Sequence, residues 1–462
     1  MELMSRASFS DGSHETAVSS PPDRPKLDNQ ENDESVPEGG YGWVCVIASS
    51  LISAHTWGIN SVCLLVALYH KTSYINLYQA YGVILAHYLS NDTFPGTSAL
   101  EYAFVGGLSI GCAMLVSPIV TVIVHHHGIH VALYTGAVFQ SISLVASSFA
   151  KQSWQLFLAQ GLCFGLGMGF CFVGSVGVVS HWFHKRRSLV NGIASAGAGL
   201  GGLVYSLAAG SMLIHLGFAW TMRILGIVCF VVNLICGSLL RIPPSTRPDG
   251  NASAFGLSAL RDIRFILLLT WGILSVLAYV ALLFSLSSYS VAVGLTQSQA
   301  SVVSAILNLG QAFGRPVVGI MSDSLGRVNV ASGATLVAGV LCLVFWVFAK
   351  TMVTICVFAV MVGTVAGTIW AAAAPLTVEL VGLRHASSAL SLFWLSLGPP
   401  TIVAEVIAVQ LRDQATDAFP YLRVQMWVGA LYISSAIFLY FLKCFSRVEK
   451  EIDPEKPRAV QN

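Results

Sequence analysis

Residues 265–287 read Phe-Ile-Leu-Leu-Leu-Thr-Trp-Gly-Ile-Leu-Ser-Val-Leu-Ala-Tyr-Val-Ala-Leu-Leu-Phe-Ser-Leu-Ser, and none of them is charged. An apolar stretch of about 20 residues is long enough to cross the hydrocarbon core of a bilayer as a helix. In hydrocarbon every backbone donor and acceptor must be paired within its own segment, and an α-helix does this. The stretch therefore predicts a membrane-spanning helix, and similar stretches recur along the chain.

The whole chain has the composition of a membrane protein. Of its 462 residues, 55% are hydrophobic and 10% are charged, whereas soluble domains carry about 25% charged residues. The ten cysteines are scattered singly, so we interpret them as packing residues and predict neither disulfides nor metal ligands. The sequence contains no constellation of nucleophile, base and orienting group and no nucleotide-binding loop, so we expect neither an enzyme nor a cofactor.

The boundaries of the apolar runs predict twelve membrane-spanning helices. The first six spans lie near 43–69, 100–124, 130–150, 154–180, 188–214 and 218–241. The second six lie near 264–290, 297–322, 328–349, 352–377, 385–411 and 420–444. The predicted fold class is therefore an all-α membrane protein with twelve transmembrane helices.

Polar segments divide these spans into two bundles. Residues 1–42 are rich in Ser, Pro, Asp and Glu, a composition that predicts a disordered tail. Residues 43–241 form the first six-helix bundle and residues 264–444 the second. The proline-containing segment 242–263 is the linker between them, and residues 445–462 form a C-terminal tail.

The basic residues indicate the orientation of the chain, because Lys and Arg are concentrated in cytoplasmic loops. The loop after the fourth span holds Lys185, Arg186 and Arg187, which we interpret as topology anchors that bind lipid phosphate. An even number of spans places both termini on one side of the membrane. We predict that both termini and the linker are cytoplasmic.

An internal repeat relates the two bundles. Adding 198 to the number of Pro118 gives Pro316, and the same shift carries Gly128 onto Gly326. Further matched pairs are Gly165 with Gly363, Gly169 with Gly367 and Arg186 with Arg384. Two copies in the same orientation predict two six-helix pseudo-repeats that lie parallel in the membrane.

Four motifs carry a resemblance to a known family. They are Pro37-Glu-Gly-Gly-Tyr-Gly-Trp43, Trp182-Phe-His-Lys-Arg-Arg-Ser-Leu-Val-Asn-Gly192, Gly314-Arg-Pro316 with Asp323 to Arg327, and Val381-Gly-Leu-Arg384 with Gly398-Pro-Pro400. The chain resembles the monocarboxylate-porter family of the major facilitator superfamily, in its fungal branch. The resemblance implies the major facilitator fold and a secondary active transporter of the plasma membrane that works by alternating access. It also implies a central cavity lined by the first, fourth, seventh and tenth helices.

The substrate implied by this resemblance is a small organic acid or another metabolite that carries a carboxylate. The expected partners are the lipid bilayer and that substrate, with protons as a coupling ion left open. We expect no nucleic acid and no obligate protein partner. Two alternatives stay open: a pump that exports a larger secondary metabolite such as a polyketide, and a nutrient sensor that does not transport.

Arg315 is the main candidate for substrate binding. It lies inside the eighth predicted span, where an ionisable residue is costly and usually functional. Its guanidinium suits a carboxylate, and the family resemblance implies the same role. We expect Asn60, His55, Asn308 and Gln311 to line the same site. The alternative for Arg315 is a structural pair, or a side chain that extends to the headgroups.

The sequence departs from the animal members of the family at two positions. Those members carry an acid where this chain has Gln311, and a lysine in the first helix where Ser61 or its neighbours fall. Two other residues are candidates for proton coupling. His55 belongs to the residue type that titrates near neutral pH, although a packing role is equally open, and Glu405 is the only acid deep inside a predicted span.

Asp323, Gly326 and Arg327 belong to the superfamily's loop motif between the eighth and ninth spans. Because an acid and a base at the ends of two helices can pair in one state and separate in another, we predict a conformational latch. Its counterpart in the first half is His125-His-His-Gly-Ile-His130. We interpret that stretch as a degenerate copy of the loop motif and not as a metal site.

Two predictions concern the first outer loop. Asn91-Asp-Thr93 is an acceptor sequence for N-glycosylation. The block Val62–Gln79 interrupts a segment that is continuous in the family. It is either a retained intron or a genuine insertion in the loop.

Overall fold

The computed structural model describes residues 38–60, 99–243, 257–383, 385–412 and 421–452. All regular secondary structure in these residues is helical. The predictions for Asn91, Arg384 and the block Val62–Gln79 lie outside the described residues. So do the greater part of the N-terminal tail and the end of the C-terminal tail.

The first half begins with α1 (Gly42–Ser53), which continues as a π-helical segment, Ala54–Gly58. It is followed by α2 (Ala99–Leu115), α3 (Ser117–His127) and α4 (Ile129–Ser147). The next helices are α5 (Ser153–Leu156), a π-helical segment Phe157–Cys163, α6 (Phe164–Val176) and a 3₁₀ turn Val178–His181. Finally, α7 (Arg187–Leu239) is interrupted at Gly217 and forms two arms, 187–216 and 218–239.

The second half begins with a 3₁₀ turn (Leu257–Arg261), α8 (Ile263–Ala292) and α9 (Gln297–Leu325). It continues with α10 (Arg327–Val340), a π-helical segment Leu341–Phe345 and α11 (Trp346–Phe348). The remaining helices are α12 (Met352–Ala366), α13 (Thr368–Val381), α14 (Ala386–Leu411) and α15 (Leu422–Ile452).

These helices follow the predicted spans in order, and the all-α fold is confirmed. Eight helices in the described residues are long and apolar enough to cross a membrane, and the bent pair α2–α3 makes a ninth. The first arm of α7 and the whole of α9 are not among them. These two stretches carry many small and polar residues because they pack against each other inside the protein. The count of twelve spans stays a prediction.

The internal repeat is visible in matching helix contacts. A Cβ added to Gly165 would lie 2.6 Å from the carbonyl oxygen of Ser109, and one added to Gly363 would lie 2.6 Å from that of Leu307. Both the glycines and their contacts are related by the shift of 198. Gly128 and Gly326, another matched pair, both have positive φ, 85° and 93°. Each ends a helix in a backbone conformation that glycine adopts at little cost.

The two halves meet along two helix pairs. The first arm of α7 lies against α9, where a Cβ on Gly199 would approach the carbonyl oxygen of Asn308 to 2.7 Å. In the second pair α2 lies against α14, and a Cβ on Gly107 would approach the carbonyl oxygen of Ile402 to 3.2 Å. Small residues allow such close approach of backbones, and in a bilayer this packing is a main source of helix association.

The structure differs from the predicted boundaries at both ends of the described chain. Helix α15 runs to Ile452, into the segment predicted as a tail. At the other end, Glu38 and Tyr41 lie in the segment predicted to be disordered, yet Glu38 accepts a hydrogen bond from His184 and Tyr41 donates one to the carbonyl oxygen of Leu239 at the end of α7. The sequence missed this because those partners are far away in the chain.

Candidate functional site

A cavity lies between the two halves. Its volume is about 50 Å³, and its lining comes from both bundles. The helices that the fold implies all contribute: α1 and its π-helical segment, α6, α8 and α13. The first arm of α7 and α9 add most of the polar groups, which include Ser195, Asn308, Gln311 and Arg315.

Arg315 is held at this cavity by α9, and only 4% of its surface is exposed. Its Nη1 donates to the carbonyl oxygen of Ser195 at 2.6 Å. Its Nη2 donates to Oε1 of Gln311 at 2.7 Å and to the hydroxyl of Tyr279 at 3.4 Å. The buried Nε has no hydrogen-bond partner among the described residues. The predicted site residue is therefore a buried cation whose Nε is unpaired among the described residues.

The charge of Arg315 has no acidic counterpart among the described residues. The ion pairs found there involve other residues, Arg264 with Asp262 and Arg327 with Asp323 and Glu379. Every group that Arg315 contacts through a hydrogen bond is neutral. A buried cation without an anion is costly, so this arrangement suits a ligand that brings a negative charge.

Three other predicted residues lie at the same cavity. Gln311 bridges the cluster, since Oε1 accepts from Tyr279 at 2.7 Å and Nε2 donates to Asn308 at 3.4 Å. Asn60 lies on the other side, in the first half, and accepts a hydrogen bond from Ser109 at 2.8 Å. All three of the predicted residues Asn60, Asn308 and Gln311 are at least 95% buried.

His55 does not line the cavity. Its ring packs edge-on against Tyr205 with the centroids 5.4 Å apart, and its Nδ1 lies 2.8 Å from the carbonyl oxygen of Leu51. Both contacts are inside the first half. His55 is two residues from the cavity-lining Trp57 on the π-helical segment, so the two side chains leave it in different directions. The substrate-binding prediction for His55 is therefore not carried further.

Aromatic side chains form the apolar wall of the cavity. Trp57 from the first half and Trp370 from the second contact each other, with ring centroids 4.8 Å apart. Phe172 and Tyr279 pack against the same pair, at 5.2 Å from Trp57 and 5.9 Å from Trp370. The cavity thus has a charged face on α9 and an aromatic face, and Tyr279 belongs to both.

The latch motif connects the two halves at the end of the bundle that contains Lys185 and Arg327, which we call the basic end. The two carboxylate oxygens of Asp323 accept hydrogen bonds from the backbone N–H groups of Ser188 and Leu189, at 2.9 and 2.8 Å. These N–H groups belong to the first turn of α7, where the helix dipole favours a negative charge. The contact joins α9 of the second half to α7 of the first.

Arg327 strengthens the same junction. Its Nε donates to the hydroxyl of Ser188 at 3.1 Å and its Nη2 to the carbonyl oxygen of His184 at 3.2 Å. Its ion-pair distances to Asp323 and Glu379 are 3.7 and 3.9 Å. In this structure the basic end is therefore closed. Gly326 provides the turn between α9 and α10 that brings Asp323 and Arg327 together.

The three predicted topology anchors divide into two kinds. Lys185 and Arg186 are exposed at the basic end. Arg187 is 3% exposed, and its Nε donates to the carbonyl oxygens of Ser180 and Phe183. Because the side chain of Arg187 turns inward to carbonyl oxygens before α7, the anchor prediction now rests on Lys185 and Arg186.

Two of the quoted motifs contact each other at the basic end. The carboxylate of Glu38 accepts from the backbone N–H of His184 at 2.8 Å. The ring of Tyr41 packs at a tilt against Trp182, with centroids 5.8 Å apart, and Trp43 packs edge-on against Phe183, at 5.2 Å. The glycine and aromatic residues of the first motif are thus explained by their fit to the second.

Sequence reasoning missed Tyr279, Ser195 and the aromatic wall. Ser195 contributes a backbone carbonyl, which leaves no trace in the residue type. Tyr279 and Trp370 are aromatic residues inside apolar spans, and nothing in the sequence distinguishes them from packing residues. Among the described residues, no group of three or more His, Cys, Asp or Glu side chains has the geometry of a metal site.

The fold and the buried polar cavity define a multi-pass membrane transporter. Residues 43–404 match the Major Facilitator Superfamily, and the chain belongs to that family. It is similar to the probable transporter MCH2 of Saccharomyces cerevisiae, with 33% identity over 421 residues that cover 90% of this chain and 85% of that one. It is also similar to MFS-type transporter 1 of an Ophiocordyceps species, with 26% identity over 409 residues, 87% of this chain and 85% of that one.

A solved structure supports the same fold. The fucose:proton symporter FucP of E. coli matches 87% of this chain and 99% of its own, with a TM-score of 0.64 and 13% sequence identity. The prediction that the chain is not an enzyme is confirmed by the relatives, which are named as transporters. The chain is a membrane transporter of the fungal major facilitator type that acts on small-molecule substrates.

Proposed function

We propose that this transporter moves a small organic acid, or another metabolite that carries a carboxylate, by alternating access. The observation that carries the proposal is the buried guanidinium of Arg315, which lies at the cavity without an acidic partner among the described residues. A carboxylate can accept two parallel hydrogen bonds from such a group. Binding would pair the charge and use the free Nε.

The cavity supports a small substrate. A volume of about 50 Å³ has room for only about four water-sized groups, at about 10–15 Å³ each. In this conformation a short organic acid matches the space better than a polyketide does. Export of a larger metabolite requires the aromatic wall formed by Trp57 and Trp370 to separate, and it is the second candidate.

Membership of the monocarboxylate-porter family is part of the proposal. It is supported by the way Glu38 and Tyr41 of the first motif fit His184 and Trp182 of the second. Asp323, Gly326 and Arg327 act as the latch in this scheme: they hold the basic end closed, and their release opens the cavity to that side. The basic end faces the cytoplasm, as the loop charges predict. The family resemblance implies that the membrane is the plasma membrane.

The experiment is uptake of radiolabelled short monocarboxylates into proteoliposomes that contain the purified protein. Wild type should take up the label, and Arg315→Gln should lose at least about tenfold in uptake, because one lost charge-assisted hydrogen bond contributes about 1.5–3 kcal/mol. Arg315→Lys keeps the charge without the planar fork, so we expect an intermediate loss.

A matched control is Arg223→Gln. Arg223 is also an arginine in a helix, but it donates to Ser148 and packs over Phe149, away from the residues that line the cavity. We expect its uptake to equal that of wild type. Absence of uptake by folded wild-type protein, tested across several short acids, would reject the carboxylate proposal in favour of the larger metabolite.

A further inference from the structure

Glu405 is a buried acid that the cavity does not use. It lies on α14, is 1% exposed, and neither of its carboxylate oxygens has a hydrogen-bond partner among the described residues. It is not among the residues that line the cavity. A charged carboxylate without a partner is very costly in such a place. The site therefore suits the neutral carboxyl group, which carries a proton.

The position of Glu405 places it beside the contact between the two halves. Ile402, three residues earlier and on the same face of α14, touches α2: a Cβ on Gly107 would lie 3.2 Å from its carbonyl oxygen. Thr401, four residues before Glu405, is 3.6 Å from the same point. Any rocking of one half against the other changes this contact, and with it the access of water to Glu405.

Two prolines in the continuous helix α14 lie between Glu405 and the basic end. Pro399 and Pro400 lie inside the helix. Each lacks an N–H group and clashes with the carbonyl four residues before it, so the helix is weakened at this point. The part of α14 that carries Glu405 can therefore move relative to the part that precedes Gly398.

No charged neighbour compensates Glu405 within the described residues. The helices α2, α3, α8, α13 and α15 and the turn Leu257–Arg261 pack against α14. Two tyrosines on these elements donate to backbone carbonyls, Tyr289 to Ala349 and Tyr432 to Ala366. The structure describes further titratable groups on these elements, on α14 and beside its ends. They are Cys112, His125, His126, His127, Arg261, Arg264, Tyr279, Glu379, His385, Arg412, Tyr421, Arg423, Tyr440, Lys443, Cys444 and Arg447. None of them forms an ion pair with Glu405.

We propose that Glu405 is a proton-binding site that couples proton movement to transport from outside the substrate cavity. In the state seen here it holds a proton. When α2 and α14 separate, water reaches the carboxyl group and accepts that proton, and a proton from the opposite compartment replaces it after the next change of state. This inference rests on the proposed carboxylate transport, and it gives the coupling role to a residue other than Gln311, which cannot titrate.

The test compares wild type with Glu405→Gln in the proteoliposome assay. For one proton per substrate, an inward gradient of one pH unit supports about tenfold accumulation. We expect the substitution to abolish this stimulation. Exchange of external label for internal substrate at equal pH should persist, because the amide resembles the protonated carboxyl and only the proton-release step is lost.

Two variants separate this role from a structural one. Glu405→Asp keeps a titratable group, so it should retain gradient stimulation. Thr401→Val removes a hydroxyl from the same helix face, one that bonds only to the carbonyl oxygen of Gly398, and it should behave as wild type. If an inward proton gradient still stimulates uptake by folded Glu405→Gln, the proposal is overturned.

Infrared spectroscopy gives a readout that does not depend on the substrate. Wild type at neutral pH should show the C=O band of a protonated carboxyl group, which Glu405→Gln removes and Glu405→Asp shifts. If this band is present but no carboxylate is exchanged, the proton site stands and the carboxylate substrate is wrong. If exchange occurs and the band is unaffected by Glu405→Gln, the proton site is wrong.

Discussion

At the scale of single residues, the site depends on an imbalance of charge. Arg315 is buried with Gln311, Tyr279 and the carbonyl of Ser195 as its partners. Each of these is a neutral acceptor for the Nη1 or Nη2 group, so none of them cancels the charge, and Nε has no partner among the described residues. The empty protein is therefore less stable than it would be with an anion in place, and that difference is available for binding substrate.

Gln311→Glu tests this imbalance directly. The new carboxylate would lie at the present Oε1 position, 2.7 Å from Nη2 of Arg315, and would pair with the guanidinium. We expect a higher unfolding temperature for the empty protein and about tenfold weaker binding of a carboxylate, a change of about 1.4 kcal/mol. Thermal unfolding with and without substrate measures both. Equal or tighter binding in the variant would show that the charge of Arg315 is not what the substrate meets.

At the scale of elements, glycines serve two different interfaces. Gly165 and Gly363 allow close packing inside one half, whereas Gly192 and Gly319 allow it between halves. A Cβ on Gly192 would lie 2.5 Å from the carbonyl oxygen of Arg315, and one on Gly319 would lie 2.6 Å from that of Ser188. The glycines within one half should determine the stability of the fold. The glycines between the halves should determine the balance between conformations.

We therefore expect Gly192→Ala to push α7 and α9 apart at the basic end and to favour the state that is open there. The accessibility of a cysteine placed at Ser195 to a membrane-impermeant thiol reagent should rise several-fold. Gly363→Ala is the matched control, since its contact with Leu307 lies within the second half. It should lower the unfolding temperature and leave the accessibility unchanged. A similar rise in thiol accessibility in both variants would argue against separate roles for the two kinds of glycine.

At the scale of the whole molecule, the structure is closed at the basic end by a contact between the halves. Asp323 on one half receives two backbone N–H groups from the other, and Arg327 adds bonds to His184 and Ser188. These contacts involve few residues and lie about two helical turns along α7 and α9 from Ser195 and Arg315 at the cavity. They can stabilise one global state without altering the substrate site itself.

Asp323→Asn removes the charge but keeps the size of the side chain. Because a carboxylate at a helix N-terminus contributes up to about 2 kcal/mol, we expect a shift of about 5–30-fold in the population that is closed at the basic end. Spin labels at the exposed positions Lys185 and Ser324, in a background without the ten native cysteines, would report a longer distance. An unchanged distance distribution would show that Asp323 does not stabilise the closed basic end. Ser332→Ala, within the second half, is the control.

Residue types alone predict that the chain is helical and lies in a membrane, because apolar length and charge content can be counted without coordinates. The sequence also determined the repeat, because matched Pro and Gly positions are local constraints on the backbone. It identified Arg315 and Glu405, since a charge inside an apolar span is visible without coordinates. It did not show that the weakly apolar α9 and the first arm of α7 owe their composition to packing against each other.

Only the tertiary structure decided which of those residues share a site. Arg315, Gln311 and Asn60 meet at one cavity, whereas His55 turns toward Tyr205 and Arg187 toward Ser180. The direction of a side chain depends on helix rotation and on tertiary neighbours such as Tyr205, and neither is encoded in the local pattern. The same holds for the missing partner of Arg315 and for the isolation of Glu405, because the absence of a neighbour is a property of the folded arrangement.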